Sequence, residues 1–256
     1  MRSTTVAAIF YFAVALCSYE AKATSAIAVW TPDSTFIATD ARITEYENGA
    51  SRTDCKIHLS NNVFWVSSGI YQDIRDGFSI KKLVDEAIWQ SKSIEDRMST
   101  FEAIATKELT AKMNAMLKQE PLVFKTSFAN YRNTLSIMFS TYENGNNYLF
   151  VFVFAAYIDP ASGAVAILTT KKTNCPCLYR FKYTIGAQSA IDAELQRNPA
   201  ILDSPLETGA ALSQLIKLQI ASTPEYVGPP VSIVEVQKGV PRWIARGVCT
   251  SDKPNR

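Results

Sequence analysis

The chain holds one histidine, His58, and five cysteines among 256 residues. One imidazole and no C-x-x-C pair leave a tetrahedral zinc centre short of ligands. The same scarcity disfavours a serine hydrolase with a separate histidine base, and no G-x-S-x-G turn occurs. Ser79-Ile80-Lys81-Lys82 spells S-x-x-K, but the partner motifs of that class are missing, so it reads as a helix start. Net charge is only +2, too little for the basic field that captures nucleic acid. No apolar run reaches the roughly twenty residues a membrane-spanning helix requires, so no stable membrane anchor is expected. Internal repeats, low-complexity stretches and Asn-x-Ser/Thr sequons are absent as well. Nothing in these patterns asks for a metal or a cofactor.

What is present begins at the amino terminus. Met1-Arg2 is basic, Val6 to Leu16 is apolar, and small residues Ala21 and Ala23 stand third-last and last before Thr24. That is the layout of a signal peptide over residues 1–23 with an A-x-A cut. The Val6 to Leu16 run is too short to cross a bilayer. Cleavage before Cys17, as in a lipid-modified leader, is disfavoured by the bulky Leu16. The expected mature chain, 24–256, suits one secreted or periplasmic domain with a full core. It would open on a threonine whose free α-amine lies beside its own hydroxyl. Four cysteines remain, Cys55, Cys175, Cys177 and Cys249, allowing up to two disulfides in three pairings. Cys175-Pro176-Cys177 is too tight to close on itself comfortably.

The periodicities give an order of elements. Thr24–Trp30 and Phe36–Thr39 flank the turn Thr31-Pro32-Asp33-Ser34 and predict a hairpin. Cys55–Leu59 and Val63–Val66 flank Asn61-Asn62 and predict a second one, closing at Ser67-Ser68-Gly69. Helical spacing then covers Ile74 to about Ser91 and Ile94 to about Lys118, the latter through Phe101, Ile104, Leu109, Met113 and Met116, with Ser93 placed to cap it. Strands are predicted at Thr134–Thr141, Tyr148–Tyr157, Ala164–Thr169 and Tyr179–Ile185. Leu149 to Phe154 is apolar on both faces, as in a strand covered on both sides. Helices return at Ser189–Gln196 and Leu206–Ala221, and strands at Val231–Val236 and Trp243–Arg246. Strands, two helices, strands, two helices and strands imply two packed sheets with helix pairs outside each.

Thr24, Asp40-Ala41-Arg42, Lys56 and Ser68-Gly69 resemble the catalytic β-type subunits of the proteasome family, which are N-terminal-nucleophile hydrolases. Asp40 and Lys56 stand sixteen and thirty-two residues after Thr24, and the later spacing matches with one residue deleted near Ser60. Gly69 to Asp73 looks like the family's glycine-led turn into its first helix. Ala156 to Gly163 resembles the hairpin between its central strands, and Tyr183 to Ser189 its strand-to-helix glycine turn. The likeness covers most of the chain after Thr24. It implies an α+β fold, a four-layer αββα sandwich of two antiparallel sheets (the Ntn hydrolase fold).

The resemblance also implies roles. Thr24 would be the nucleophile, with its own amine as base. Lys56 would lower the pKa of that amine by like-charge repulsion. Asp40 would aim Lys56, and the Gly69 N–H would face an oxyanion. Ile43, Asp54, His58, Ser67 and Tyr71 would line a substrate pocket. His58, two residues beyond Lys56 on a strand, would share its face. The expected activity is that of an exported threonine-type peptidase or amidase acting on a peptide or amide substrate, with a homo-oligomer as a possible assembly. The competing reading is a catalytically idle assembly or binding protein of the same fold. Three positions depart from the family. Ala187 and Val227 fall where supporting hydroxyls are expected, with Ser189 or Glu225 as substitutes, and Ala23 replaces a glycine before the threonine. Glycine best tolerates the strain of self-cleavage, so signal peptidase is the expected cutter.

Overall fold

The computed structural model describes residues 24–44, 51–73, 76–90, 93–174, 180–204 and 207–249, and the backbone of 20–22. Among the described residues it is a mixed α+β structure with five helices and antiparallel sheets. In chain order the first strands are β1 (Glu20–Lys22), β2 (Ser25–Trp30), β3 (Ser34–Thr39), β4 (Arg42–Thr44), β5 (Ser51–Thr53), β6 (His58–Ser60), β7 (Val63–Asp73) and β8 (Phe78–Ser79). Helices α1 (Ile80–Gln90), α2 (Ile94–Gln119) and α3 (Pro121–Ser127) follow. Then come β9 (Arg132–Glu143), β10 (Asn146–Ile158), β11 (Val165–Thr173), β12 (Phe181–Gly186), α4 (Ser189–Arg197), α5 (Thr208–Ser222), β13 (Ser232–Gln237) and β14 (Val240–Ala245).

One sheet has seven strands in the path β1-β7-β9-β10-β11, with β6 and β8 also paired to β7. A second has five, β12-β2-β3-β13-β14, and β4 and β5 form a small third. The cores follow from strand alternation, because successive side chains leave opposite faces. On β7, Val63 and Trp65 join α1 and α2 in one apolar cluster, while Phe64 and Val66 join residues of β2, β3 and β13 in another. On β2, Ala26, Ala28 and Trp30 belong to that second cluster, while Ile27 and Val29 pack with α4 and α5. Each large sheet is thus apolar on both sides, as the unbroken run in β10 required.

Local chemistry sets the boundaries. Thr31 receives the Ser34 N–H on its hydroxyl at 3.1 Å and donates its own N–H to the Ser34 carbonyl at 2.8 Å, closing the β2–β3 turn. Ser93 caps α2 by accepting the Asp96 N–H at 3.2 Å. From there Ile94, Met98, Phe101, Ala105, Leu109, Met113 and Met116 form the buried stripe. Phe101 sits edge-on to Phe139, Phe152 and Phe154, with centroids 4.9 to 6.1 Å away.

Several predicted boundaries differ. β7 does not close at Gly69 but runs on to Asp73, and α1 starts at Ile80 instead of Ile74. Pairing with β1, β8 and β9 holds that stretch extended, so no glycine-led turn into a helix exists at Gly69. A fifth helix, α3, follows α2 directly. Pro121 at its first turn cannot continue α2 but fits an N-terminus. Cys55–Ile57 precede β6 without strand pairing, and α5 begins at Thr208.

Phe101→Ala removes a fully buried ring from the helix–sheet core. It should lower unfolding stability by about 3–5 kcal/mol, read as a reduced denaturant midpoint at unchanged slope.

Candidate active site

Thr24 is fully buried immediately before β2. Its carbonyl accepts the Ala187 N–H at 2.8 Å, tying it to the turn between β12 and α4. Gly186 makes that approach possible. Its φ is +80°, and a Cβ there would fall 1.7 Å from the Thr24 oxygen and 2.7 Å from Ser68 Oγ, so only glycine fits. The Thr24 hydroxyl makes no hydrogen bond. An orphan buried hydroxyl is costly, and it remains available to a reaction partner.

Asp40 lies at the end of β3, across the hairpin from Thr24, and is fully buried. Its Oδ1 accepts the Ser25 N–H at 2.9 Å and the Lys56 ammonium at 2.9 Å. Its Oδ2 accepts the N–H groups of Arg42 at 3.0 Å and Gly228 at 3.1 Å. One carboxylate oxygen therefore bridges the lysine to the residue directly after the threonine. Lys56 is 1% exposed. Burial pushes its pKa below the ordinary 10.5, against the opposing pull of Asp40. Between that lowered value and 10.5 the unfolded chain binds more protons than the native one. The contribution of Lys56 to stability is therefore complete above 10.5 and is lost as pH falls through the native value. Removing either partner would strand the other charge in the interior.

Gly69 sits in β7 at φ +103°, where a Cβ would strike the Thr134 carbonyl oxygen at 2.3 Å. Its register partner across β1 is Lys22, so Glu20–Lys22 run antiparallel along β7. A cavity of about 250 Å³ lined by Ser68, Gly69, Asn133, Ser136 and Gly186 opens between the sheets. The Ser25 N–H, next to Thr24, and the Lys56 ammonium thus meet on the Asp40 carboxylate, and Gly186 closes on the Thr24 carbonyl.

The other expected residues divide. His58 stacks on Trp65 at 4.2 Å and lies 6.0 Å from Tyr71, so these rings form one buried stack. Ser67 lies between Trp65 and Tyr71 in β7 and is buried. Ile43 is buried in β4, and Asp54 follows β5, where its N–H bonds the Ala41 carbonyl at 2.9 Å and its carboxylate takes the Cys55 N–H at 2.7 Å. The shared-face argument for Lys56 and His58 fails, because 54–57 are not a strand. Lys56 turns to Asp40, while His58 turns to the aromatic stack.

Three contributors escaped the sequence reading. Gly228 supplies an N–H to Asp40; its only signal was the turn-like Gly228-Pro229-Pro230. Ala187, without a hydroxyl, serves through its backbone. Ser189 and Glu225 are both exposed, at the start of α4 and in the turn after α5. The third is covalent. Cys55 is bonded to Cys249 across 194 residues, so a disulfide anchors the residue just before Lys56 to the final turn. Cys175, Cys177 and the leader residues 1–19 lie outside the described residues. Among the described residues no cluster of His, Cys, Asp or Glu could hold a metal, and no helix is long and apolar enough to cross a membrane.

No protein-family model matches this chain, and no curated protein matches it.

Replacing both Cys55 and Cys249 by alanine releases a very long loop and frees the Lys56 segment. Stability should fall by about 2–5 kcal/mol, measured by guanidinium unfolding of oxidised wild-type protein beside the double variant.

Proposed function

We propose that this chain is an exported threonine-type peptidase or amidase of the proteasome β-like, N-terminal-nucleophile kind, built as a four-layer αββα sandwich and activated by signal-peptide removal before Thr24. The observation that carries this reading is the bridge Ser25 N–H to Asp40 to Lys56 beside an unbonded Thr24 hydroxyl. A buried lysine–carboxylate pair is expensive as mere structure. Placed one residue from a threonine that processing turns into an amino terminus, it has a chemical use.

Removing residues 1–23 has two effects. It exposes the α-amine of Thr24, and it takes away β1, which lies along β7 in the unprocessed chain. A substrate peptide can then add as a strand at the same edge, with the bond to be cut near Gly69. Thr24 Oγ1 attacks the amide carbon while its proton passes to the α-amine. The carbonyl π electrons move onto oxygen, which the Gly69 N–H stabilises. Collapse expels the amine of the substrate, which takes up the proton held by the α-amine, and leaves an ester on Thr24. Water, deprotonated by the same α-amine, attacks that ester. The acid departs and the hydroxyl returns. Lys56 stays charged throughout and keeps the α-amine from holding its proton too tightly.

The second reading, an idle assembly or binding protein, draws on Ala187 and Val227, which bring no hydroxyl to support the proton path. The two readings part on Thr24. Secreted protein should begin at Thr24 by intact mass and amino-terminal sequencing. It should hydrolyse fluorogenic peptide amides, and Thr24→Ala should bring turnover to background while leaving the melting temperature in place. A secreted chain starting elsewhere, or full turnover by Thr24→Ala, removes the hydrolase.

The rate should depend on pH in a bell shape. The acid limb follows the α-amine, ordinarily about 7.7–8.0 and lowered by Lys56. The alkaline limb follows loss of the Lys56 proton, which burial brings in below 10.5. Lys56→Met should cut kcat by on the order of 10²–10⁴-fold and abolish the alkaline limb, as measured in a buffer series at constant ionic strength.

A further inference from the structure

The cavity of about 250 Å³ beside Gly69 and Gly186 has a chemical character of its own. Across β7, β9 and β10 the register aligns Val66, Met138 and Val151, an apolar row that packs against the second sheet. The next row on the same face, two residues away on each strand, is Ser68, Ser136 and Val153. Buried hydroxyls therefore replace apolar side chains where the sheets face each other, and the cavity lies over them. Asn133 and Gln188 add amide groups, and Tyr183 and Ile185 supply a wall from β12. Among the described residues no charged side chain lines it.

This cavity adjoins the Thr24 centre. A Cβ on Gly186 would fall 1.7 Å from the Thr24 carbonyl oxygen and 2.7 Å from Ser68 Oγ, so both oxygens crowd the same glycine. The direction of β1 identifies the side of a substrate that reaches it. Along β7, Glu20 lies opposite Gln72 and Lys22 opposite Gly69. A substrate strand laid in that direction sets its acyl-side residues along Gly69 to Gln72, and its next residue opposite Ser68. Directly opposed residues of an antiparallel pair share a face. The side chain of that next residue points, with Ser68, into the cavity.

We propose that this cavity is the subsite for the first residue on the leaving-group side of the cut bond, and that it selects an uncharged hydrogen-bonding side chain: glutamine, asparagine or serine. The proposal rests on the threonine-hydrolase reading and names the substrate class of that site. Ser68 and Ser136 meet the polar end of the side chain, with Asn133 and Gln188 nearer solvent. A carboxylate or ammonium would lose water here with no opposite charge to meet. An apolar chain would strip water from the hydroxyls without replacing its hydrogen bonds. Pockets that enclose whole ligands run from about 300 to 1,000 Å³, so a cavity of this size takes one side chain.

The test uses secreted protein and internally quenched peptides that share one acyl side and carry Gln, Ser, Leu, Glu or Lys directly after the cut bond, with the cut located by mass spectrometry. The Gln and Ser peptides should show kcat/KM about fivefold or more above the other three, as one added hydrogen bond provides. Ser136→Ala should bring the Gln-to-Leu ratio toward one. That ratio is internal to each protein, so a general loss of activity does not move it. Gln188→Ala should lower the same ratio, and its half-buried position keeps the test open if Ser136→Ala does not fold. Equal rates for the Gln and Leu peptides, or an unchanged ratio in both variants, overturn the proposal. If no peptide is cut, the hydrolase reading fails and the leaving-group role with it, while the selectivity of the cavity is read from binding. Gln-Ala amide at about 10 mM should then shift the Gly69 and Gly186 N–H resonances, and Leu-Ala amide should not. Equal shifts, or none from either, overturn the selectivity as well.

Discussion

The site depends on one fully buried carboxylate, Asp40, and the donors gathered on it. Asp40 receives four donors, three from backbone and one from Lys56, and so spends every strong acceptor direction it has. Each donor belongs to a different stretch: the start of β2, the turn into β4, the segment before β6 and the loop before β13. The carboxylate acts as the fastener of the five-stranded sheet's end. It fixes where Lys56 points, because an ammonium at that depth needs a charged acceptor.

Two glycines do for geometry what Asp40 does for charge. Gly186 lets the β12–α4 turn close over the Thr24 carbonyl, and Gly69 lets β7 pass under the Thr134 carbonyl. Both have positive φ, so a side chain would meet backbone strain as well as a collision. Around them the two large sheets pack through a cluster that reaches Cys55 and Cys249. The disulfide therefore closes the core at the same level as the charged pair. Packing, covalent linkage and electrostatics converge on the entry to β2.

The competing functional readings share all of this architecture and differ only in proton traffic. Backbone N–H groups at Ala187 and Gly228 hold the carbonyl of Thr24 and the carboxylate of Asp40. Backbone donors position well but cannot relay a proton as a hydroxyl does. In a hydrolase of this form the α-amine of Thr24 has to carry the proton alone.

Much of this was legible in the chain itself. The strand and helix periods located most elements, since burial on both sides of β10 or along one stripe of α2 imposes an apolar spacing that neighbours in sequence reveal. Ser93 announced its cap, and the offsets of Asp40 and Lys56 from Thr24 marked the pair that does meet. The extension of β7 to Asp73 was not legible, because partners far along the chain decide whether Ile70 to Asp73 stays extended. Nor was the turning away of His58 from Lys56, which rests on stacking against Trp65 and Tyr71. Sequence alone determined which groups the chain owns: a threonine behind a leader-like segment, one lysine and one aspartate at fixed offsets, and cysteines enough for a bridge. Tertiary structure decided which of them touch, that Cys55 takes Cys249, and that Gly228 completes Asp40 from 188 residues away. Contacts at such separations depend on how whole sheets pack, and no local pattern encodes them.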